Sequence, residues 1–224
     1  MGHGVKGHGA GTAALADGLV QVPAGPSHFD ALHRDSADPW GVFSRWYERR
    51  KRDLILAALP RERYGLGFEP GCSVGGNTRA LAARCDTLVA CDASAAALAR
   101  THAVLHGKGG AGDAAGVRLE LWTFPHRWPA VPCDLVVVSE LAYYLPESDF
   151  HDFLTGMRAR LAPGGHLLLC HWRAPLDDAF RSGDEVHAQA HRTLALDAVG
   201  GWCDEDMRID VWQRGGITSL AAAP

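Results

Sequence analysis

The sequence lacks the features that mark membrane, secreted and nucleic-acid-binding proteins. No uncharged apolar run approaches the roughly 20 residues that a membrane-spanning helix needs, so we predict no membrane span. The first ten residues carry one lysine and no apolar segment, which argues against a secretory signal. Positive charge is not in excess, because 22 Lys and Arg stand against 26 Asp and Glu. That balance argues against a basic nucleic-acid surface, so we expect a cytoplasmic protein without nucleic-acid or membrane partners.

The six cysteines show no spacing typical of a metal or redox site. No pair forms a C-x-x-C motif, and no cysteine–histidine spacing matches a zinc site, so we predict no bound metal. Cys91 and Cys170 lie at the ends of apolar runs, as buried thiols in a reducing compartment do. His3 and His8 have glycine neighbours, which favours adventitious metal binding over a formed site.

The composition and length fit one globular α/β domain. Of the 224 residues, 47% are hydrophobic and 21% charged. The first residues are rich in Gly, Ala and His without an apolar period, whereas apolar residues recur at helical spacing from Trp40 to Leu59. The predicted division is a flexible leader at 1–27, an N-terminal helical cap at 28–60, the main domain at 61–214 and a loose tail at 215–224.

Strands and helices are predicted to alternate through the main domain. The predicted strands are 65–69, 87–91, 117–121, 133–139, 166–170 and 207–212. The predicted helices are 77–84, 94–106, 148–161 and 184–192, and a Gly/Ala loop covers 107–116. Such alternation is typical of a doubly wound, mostly parallel sheet. The last strand alternates apolar and polar residues, as an antiparallel edge strand does.

The first strand runs into a glycine-bearing turn at 69–75, Glu-Pro-Gly-Cys-Ser-Val-Gly. Gly71 and Gly75 let the backbone pass close to a ligand where a Cβ would collide. In an open α/β sheet this turn lies at the carboxyl edge, where ligands bind. The spacing is G-x-x-x-G rather than G-x-G-x-x-G, which favours a nucleoside site over a pyrophosphate cradle.

The second strand ends in an acidic residue, Asp92, which follows Gly71 by 21 positions. A carboxylate at this place reaches the two ribose hydroxyls of a nucleoside. The alternative is an aspartate that only caps the next helix. Together the turn and the acid predict an adenosine-type ligand, and they leave both NAD and S-adenosylmethionine open.

Two further strands end in polar and aromatic residues at the same predicted edge. Ser139 ends the fourth strand, Glu140 follows it, and Tyr143 and Tyr144 come shortly after. His171 closes the fifth strand and has an ordinary pKa near physiological pH. Structural roles, as a capping Glu, packed tyrosines and a strand-end His, are the alternatives.

These motifs resemble the adenosylmethionine-binding motifs of class I methyltransferases. More narrowly, the chain is similar to the nodulation protein S family, which methylates amines. The pieces that carry this likeness are Asp38-Pro39-Trp40, 46–51, 134–140, 143–145 and 161–167. His171-Trp172-Arg173 and 183–187 match bacterial relatives of that family better than its rhizobial members. The likeness covers residues 38–214.

The resemblance implies a Rossmann-like, seven-stranded, mostly parallel sheet with an antiparallel edge strand. It implies S-adenosylmethionine as cofactor, S-adenosylhomocysteine as product, and an amine or amino sugar as acceptor. The cofactor contacts that it implies are Tyr47, Arg52, Glu69, Gly71, Cys72, Ser73, Gly75, Asp92, Ala93, Thr123, Phe124 and Ser139. The resemblance places the segment Trp122-Thr123-Phe124 against the adenine. Trp122 and Phe124 make this segment less polar than is usual in the family, and stacking of these two rings on the adenine is the alternative contact.

An amine must lose its proton to attack a sulfonium methyl, so the site needs a proton acceptor or a carboxylate that orients the amine. We predict His171 and Glu140 for these roles, with Tyr143 as a third catalytic residue. The predicted substrate contacts are Trp40, Tyr144, Trp172, Asp184 and His187. Methylation of oxygen or carbon, an NAD-dependent oxidoreductase and a non-catalytic binding module are the competing functions.

Overall fold

The computed structural model describes residues 24–107 and 116–215. Its seven strands form one sheet in the order β3-β2-β1-β4-β5-β7-β6. The strands are β1 Tyr64–Pro70, β2 Cys85–Asp92, β3 Val117–Leu121, β4 Cys133–Ser139, β5 Leu161–Trp172, β6 Asp197–Cys203 and β7 Met207–Gln213. The helices are α1 Pro26–Asp35, α2 Trp46–Ala58, α3 Gly76–Ala82, α4 Ala95–His106, α5 Glu147–Arg160 and α6 Gly183–Thr193. A short 3-10 turn, Ala142–Tyr144, follows β4 and is called the tyrosine turn below.

The sheet is mostly parallel, as predicted. β1 to β5 run parallel to one another, whereas β7 runs antiparallel to both β5 and β6. The predicted fold class is therefore confirmed. The carboxyl ends of β1 to β5 meet at one edge, which we call the ligand edge. Every predicted site residue from Glu69 to Trp172 lies in or next to the segments that end there.

Both faces of the sheet are covered, which explains the uninterrupted apolar run of β4. Val136 and Val138 face one core with Phe153 of α5. Leu135 and Val137 point to the opposite core, which also contains Ile55 of α2. Strands buried on both faces have near-continuous apolar sequences, and this is why β4 was predictable from residue type alone.

The end of the sheet differs from the prediction in one strand. β6 was not predicted, because almost all of its residues are exposed and two of the seven are glycine. β6 and not β7 is consequently the edge strand, and β7 is buried between β5 and β6. β5 is also longer than predicted, since it begins at Leu161 and includes Pro163.

The N-terminal region contains a helix, α1, for which the prediction gave only a helical cap at 28–60 and no separate bounds. α1 begins at Pro26, so it starts within the predicted leader. The helix expected from Trp40 begins only at Trp46, because Asp38 instead accepts hydrogen bonds from the backbone of Val42 and Phe43 in a separate turn. The predictions for residues 1–23, for most of the Gly/Ala loop and for the tail beyond residue 215 lie outside the described residues.

Five of the six cysteines are buried and all six are free thiols, whereas Cys203 is exposed on β6. The thiols therefore agree with the prediction of small buried side chains. Among the helices in the described part of the chain, none has the length and apolar character to cross a membrane.

One buried histidine of the sheet makes stability depend on pH. His166 in β5 is 2% exposed, and its Nδ1 lies 3.4 Å from the hydroxyl of Tyr64. Burial, followed by the positive charge of Arg61, lowers the pKa of His166 to about 4. In the unfolded chain His166 takes up a proton below about pH 6.5, so the folded state loses up to about 3 kcal/mol as the pH falls from 6.5 to 4.

We expect H166N to lose less free energy of unfolding between pH 7 and about pH 4.5 than the wild type does, by roughly 2–3 kcal/mol. Urea titrations at the two pH values measure this difference. H151N, at an exposed position of α5, is the matched control and should keep the wild-type pH dependence. An equal loss in H166N and wild type would show that His166 does not titrate in this range.

Candidate active site

The glycine turn between β1 and α3 has a backbone that requires its glycines. Gly71 and Gly75 adopt φ angles of +69° and +85°. A Cβ on Gly75 would lie 2.7 Å from Cγ2 of Thr101, and one on Gly71 would lie 3.0 Å from Cδ2 of Leu141. Ser73 between them also has a positive φ of 51°. The turn is thus packed against α4 on one side and against the segment after β4 on the other.

Gly75→Ala should destabilise the protein by roughly 2–3 kcal/mol, because a left-handed backbone and a close contact with Thr101 oppose the new methyl group. Gly156→Ala is the matched control. Gly156 lies within α5, and a Cβ there would have nothing within 4 Å, so the same substitution should stabilise by about 0.5–1 kcal/mol. Thermal unfolding measures both changes, and equal shifts would contradict the strain assigned to the turn.

Asp92 at the end of β2 is hydrogen-bonded to the glycine turn. The backbone N–H of Ser73 donates to Oδ2 at 2.9 Å, and that of Ser94 donates to Oδ1 at 2.9 Å. Burial raises the pKa of Asp92, while these two N–H groups act in the opposite direction. Each carboxylate oxygen accepts one N–H here and retains a second lone pair. The predicted pairing of turn and acid is thus present in the structure.

Several buried polar atoms near the ligand edge have no hydrogen-bond partner among the described residues. They are Oγ of Ser73, Oγ of Ser139, Nδ1 of His33 and Oε2 of Glu69. Burial raises the pKa of Glu69 to about 8. Buried polar atoms are normally satisfied, so a concentration of unpaired ones at the ends of β1 and β4 points to a polar ligand.

α1 covers the ligand edge with aromatic side chains. The ring of His33 meets that of Trp40 at 5.1 Å, Phe29 lies 6.4 Å from Trp40, and Phe29 lies 4.8 Å from Tyr144. These four residues form the aromatic row, which runs from α1 to the tyrosine turn. α1 is tied to α4, because the hydroxyl of Ser94 donates to Asp30 at 2.7 Å.

Phe29 and His33 were not among the predicted site residues, because no site motif was recognised in the predicted helical cap before Trp40. The signal that was present is Pro26 at the first turn of a helix, followed by apolar or aromatic residues at positions 29, 32 and 33.

Glu140 lies at the centre of a buried polar cluster after β4. Its Oε1 accepts from the hydroxyl of Tyr47 at 2.7 Å and from Nζ of Lys51 at 3.1 Å. Its Oε2 accepts from the hydroxyl of Tyr143 at 2.6 Å and from the backbone N–H of Trp172 at 2.8 Å. Burial opposes ionisation, but the charge of Lys51 and the hydrogen bond from Tyr143 lower the pKa of Glu140 to about 2.

The predicted roles of His171 as proton acceptor and of Glu140 as the carboxylate that orients the amine do not fit this arrangement. Glu140 already accepts four hydrogen bonds, which is about the capacity of a carboxylate, so its oxygens are not free to orient an amine. In His171, which is 0% exposed, Nε2 accepts from the backbone N–H of Ala142 and Nδ1 lies 3.1 Å from Nε2 of His187. The hydroxyl of Tyr143 is likewise committed to Glu140. These three residues are brought together, but as internal supports.

The five predicted substrate contacts divide into three aromatic residues, which pack against other rings, and two polar residues, which are bound by other side chains. Trp40 and Tyr144 belong to the aromatic row, and the ring of Trp172 packs edge-on against Tyr47 at 4.6 Å. Asp184 is paired with Arg173 at 3.0 Å. His187 is 0% exposed, and both of its ring nitrogens contact other side chains, so it does not fit the predicted contact with the acceptor.

Among the other predicted cofactor contacts, Arg52 lies beside the glycine turn. Its Nη1 is 3.2 Å from the position that a Cβ would occupy if Gly76 carried a side chain. Cys72 is buried, and its backbone N–H donates to the carbonyl of Cys91. Phe124 does not fit the predicted adenine contact, because it is 7% exposed and packs against Phe153 in the core at 5.2 Å.

Two segments at the same edge remain available to a nucleoside. Thr123 is exposed there, and the backbone N–H of Trp122 donates to the carbonyl of Asp92. Ala93, between Asp92 and the N-cap of α4, is half-buried. Trp122, Thr123 and Ala93 are thus the residues that remain accessible at this part of the edge, whereas Phe124 belongs to the core.

Comparison with known proteins gives consistent results. A family model described as a methyltransferase domain matches residues 68–167. Nodulation protein S from Rhizobium tropici is 28% identical over 158 residues, which are 68% of this chain and 64% of that protein. The chain therefore spans less than two thirds of the length of this curated relative.

Two crystal structures extend the likeness. A protein from Pseudomonas syringae assigned to the methyltransferases is 42% identical, with a TM-score of 0.63 over 76% of this chain and 100% of that one. The N-methyltransferase NodS from Bradyrhizobium japonicum, in complex with S-adenosylhomocysteine, is 25% identical, with a TM-score of 0.70 over 83% of this chain and 97% of that one. With this identity and coverage, and with the glycine turn joined to Asp92, the chain belongs to the class I S-adenosylmethionine-dependent methyltransferases and is NodS-like.

Proposed function

We propose that this protein transfers a methyl group from S-adenosylmethionine to the nitrogen of a small amine, such as an amino sugar, and releases S-adenosylhomocysteine. The observation that carries the proposal is the hydrogen-bonded pair of the glycine turn and Asp92 at the ligand edge. The same position of a carboxylate grips a ribose in other nucleoside-binding α/β sheets. The relatives that are N-methyltransferases support the choice of nitrogen as acceptor.

The residues present fit this cofactor. The free lone pairs of Asp92 suit the two ribose hydroxyls, and the unpaired Oγ of Ser73 and Oε2 of Glu69 suit the polar amino-acid end. His33 and Trp40 would cover the nucleoside from the side of α1. Because Glu69 has a pKa raised by burial to about 8, it is protonated at neutral pH and can donate a hydrogen bond.

S-adenosylmethionine supplies an electrophilic methyl group on a sulfonium whose leaving group is already good, so the protein's task is to orient the amine and exclude water. The aromatic row and the tyrosine turn provide this enclosure. Burial, followed by the negative charge of Asp178, raises the pKa of Tyr144, so its hydroxyl stays neutral. The half-exposed carboxylate of Asp178 beside Tyr144 can accept a hydrogen bond from an amine N–H, and its negative charge opposes the binding of a phenolate.

The proposal is tested by incubating the purified protein with S-adenosylmethionine and a panel of amines, amino sugars, phenols and carbon acids. Mass spectrometry detects a gain of one methyl group, and calorimetry with S-adenosylhomocysteine and NAD identifies the cofactor. Methylation of an amine or amino sugar supports the proposal. Methylation of phenols or carbon acids alone would replace it by oxygen or carbon transfer, and binding of NAD alone would refute it.

A further inference from the structure

A chain of buried hydrogen bonds leads from β7 to the tyrosine turn. Oδ2 of Asp210 lies 2.7 Å from Nδ1 of His187, and Nε2 of His187 lies 3.1 Å from Nδ1 of His171. Nε2 of His171 in turn accepts from the backbone N–H of Ala142 at 3.2 Å. Asp210 and Ala142 are thus linked through two imidazole rings, each of which is 0% exposed.

The chemistry of these groups allows one direction of donation along the chain. An ionised carboxylate only accepts, so Nδ1 of His187 donates to Asp210. Burial lowers the pKa of both histidines, which keeps the rings neutral, so Nε2 of His187 accepts and Nδ1 of His171 donates. Nε2 of His171 is then the acceptor that the N–H of Ala142 requires. Asp210 at one end and the N–H of Ala142 at the other therefore require the same tautomer in both rings.

The far end of the chain is the first residue of the tyrosine turn. The carbonyls of Ala142 and Leu145 accept from Nη1 of Arg181 at 3.3 Å and 2.7 Å, and Tyr143 donates to Glu140. The turn is therefore held at its N–H by His171, at its carbonyls by Arg181 and at its first tyrosine by Glu140. Tyr144, the last member of the aromatic row, is the residue of the turn that remains exposed to the ligand edge.

We propose that Asp210 and His187 are positioning residues for methyl transfer, because they fix His171 in the tautomer that holds the tyrosine turn and so place Tyr144 at the acceptor. The role given to the tyrosine turn rests on the proposed function, but the series of hydrogen bonds from Asp210 to Ala142 does not depend on it. Neither Asp210 nor His187 reaches the ligand edge. They act through His171, whose positioning role replaces the proton-accepting role predicted from residue type.

The charged neighbours on each packed element are consistent with an ionised Asp210. From β7, Nε of Arg208 donates to Oδ2 of Asp210 at 2.8 Å. From α6, Nε2 of His191 lies 3.5 Å from the same oxygen, and Asp184 adds a negative charge near His187. Around His171 the charged groups are Glu140, which favours protonation of the ring, and Lys51 on α2, which opposes it.

The test is histidine NMR together with amide hydrogen exchange. In the wild type between pH 6.5 and 8, nitrogen–proton correlation spectra should show His171 and His187 as neutral rings with the proton on Nδ1. In D210A, His171 should lose its single tautomer although Asp210 does not touch it, and the amide of Ala142 should exchange about tenfold faster. D210N keeps an acceptor oxygen and should retain the wild-type tautomers, as should E205A, which removes an exposed carboxylate from the same hairpin.

A wild-type His171 with its proton on Nε2 would overturn the inference without any variant, even if D210A failed to fold. Unchanged tautomers and Ala142 exchange in a folded D210A would also overturn it. Calorimetry with S-adenosylhomocysteine on the same samples separates the two proposals. A wild type that shows the predicted tautomers but does not bind this nucleoside refutes the proposed function and leaves the hydrogen-bonded chain in place.

Discussion

Asp92→Asn is expected to weaken the binding of S-adenosylhomocysteine about 100-fold. A hydrogen bond to a charged group contributes roughly 1.5–3 kcal/mol, and Asp92 is placed to accept one from each ribose hydroxyl. Asparagine keeps the size of the side chain but offers one oxygen, and its amide N–H would oppose the N–H of Ser73 or Ser94. A loss of about 2.7 kcal/mol corresponds to the expected factor. Isothermal titration calorimetry measures it directly.

Asp86→Asn is the matched control, because Asp86 lies near the opposite end of β2 and is exposed beside Arg63. It should bind S-adenosylhomocysteine as the wild type does. Circular dichroism of both variants shows whether they are folded. A folded D92N protein with wild-type affinity would contradict the assignment of the ribose to Asp92.

Lys51→Met should lower the free energy of unfolding by roughly 3–5 kcal/mol. The side chain of Lys51 is 4% exposed and pairs with Glu140 at 3.1 Å and with Glu48 at 2.9 Å. Removing one partner of a buried ion pair leaves an uncompensated charge, and here it leaves two carboxylates together. The melting temperature should fall by about 10 °C for a domain of this size. Thermal and urea unfolding measure the loss.

The surface variant R49M on the same helix is the control, since Arg49 is exposed and its loss should cost within about 0.5 kcal/mol. Adding Glu140→Gln to K51M removes one of the uncompensated charges and should recover part of the loss, which a double-mutant cycle quantifies. If K51M is as stable as R49M, the buried cluster does not join α2 to the end of β4.

Local sequence patterns were sufficient to predict the central elements of the fold. β4 was recognisable because its apolar run is buried on both faces, and Ser94 was recognisable as the N-cap of α4, where its Oγ accepts from the N–H of Ala97. β6 could not be predicted, because an exposed strand with two glycines is held by pairing with β7 rather than by its own pattern. The start of α1 at Pro26 was hidden by the short length of the helix and by the glycine-rich sequence that precedes it.

The sequence was sufficient to predict where the residues of the candidate site lie, but not which other residues they bind. The G-x-x-x-G spacing and the acid at position 92 are local features, and the structure joins them as expected. Lys51 and Glu140 are 89 positions apart, and no periodicity links them. The same holds for Asp210 and His187, so residue type alone assigned His171 to proton transfer. Long-range packing decides which polar residue is free, and a single sequence does not encode that in a local pattern.

A crystal structure of the protein with S-adenosylhomocysteine tests the central claim most directly. We predict that both ribose hydroxyls lie within about 3.2 Å of the carboxylate oxygens of Asp92, with the amino-acid end of the ligand against the turn from Gly71 to Gly75. A ribose held by other residues, with the carboxylate of Asp92 bonded only to the N–H groups of Ser73 and Ser94, would contradict it.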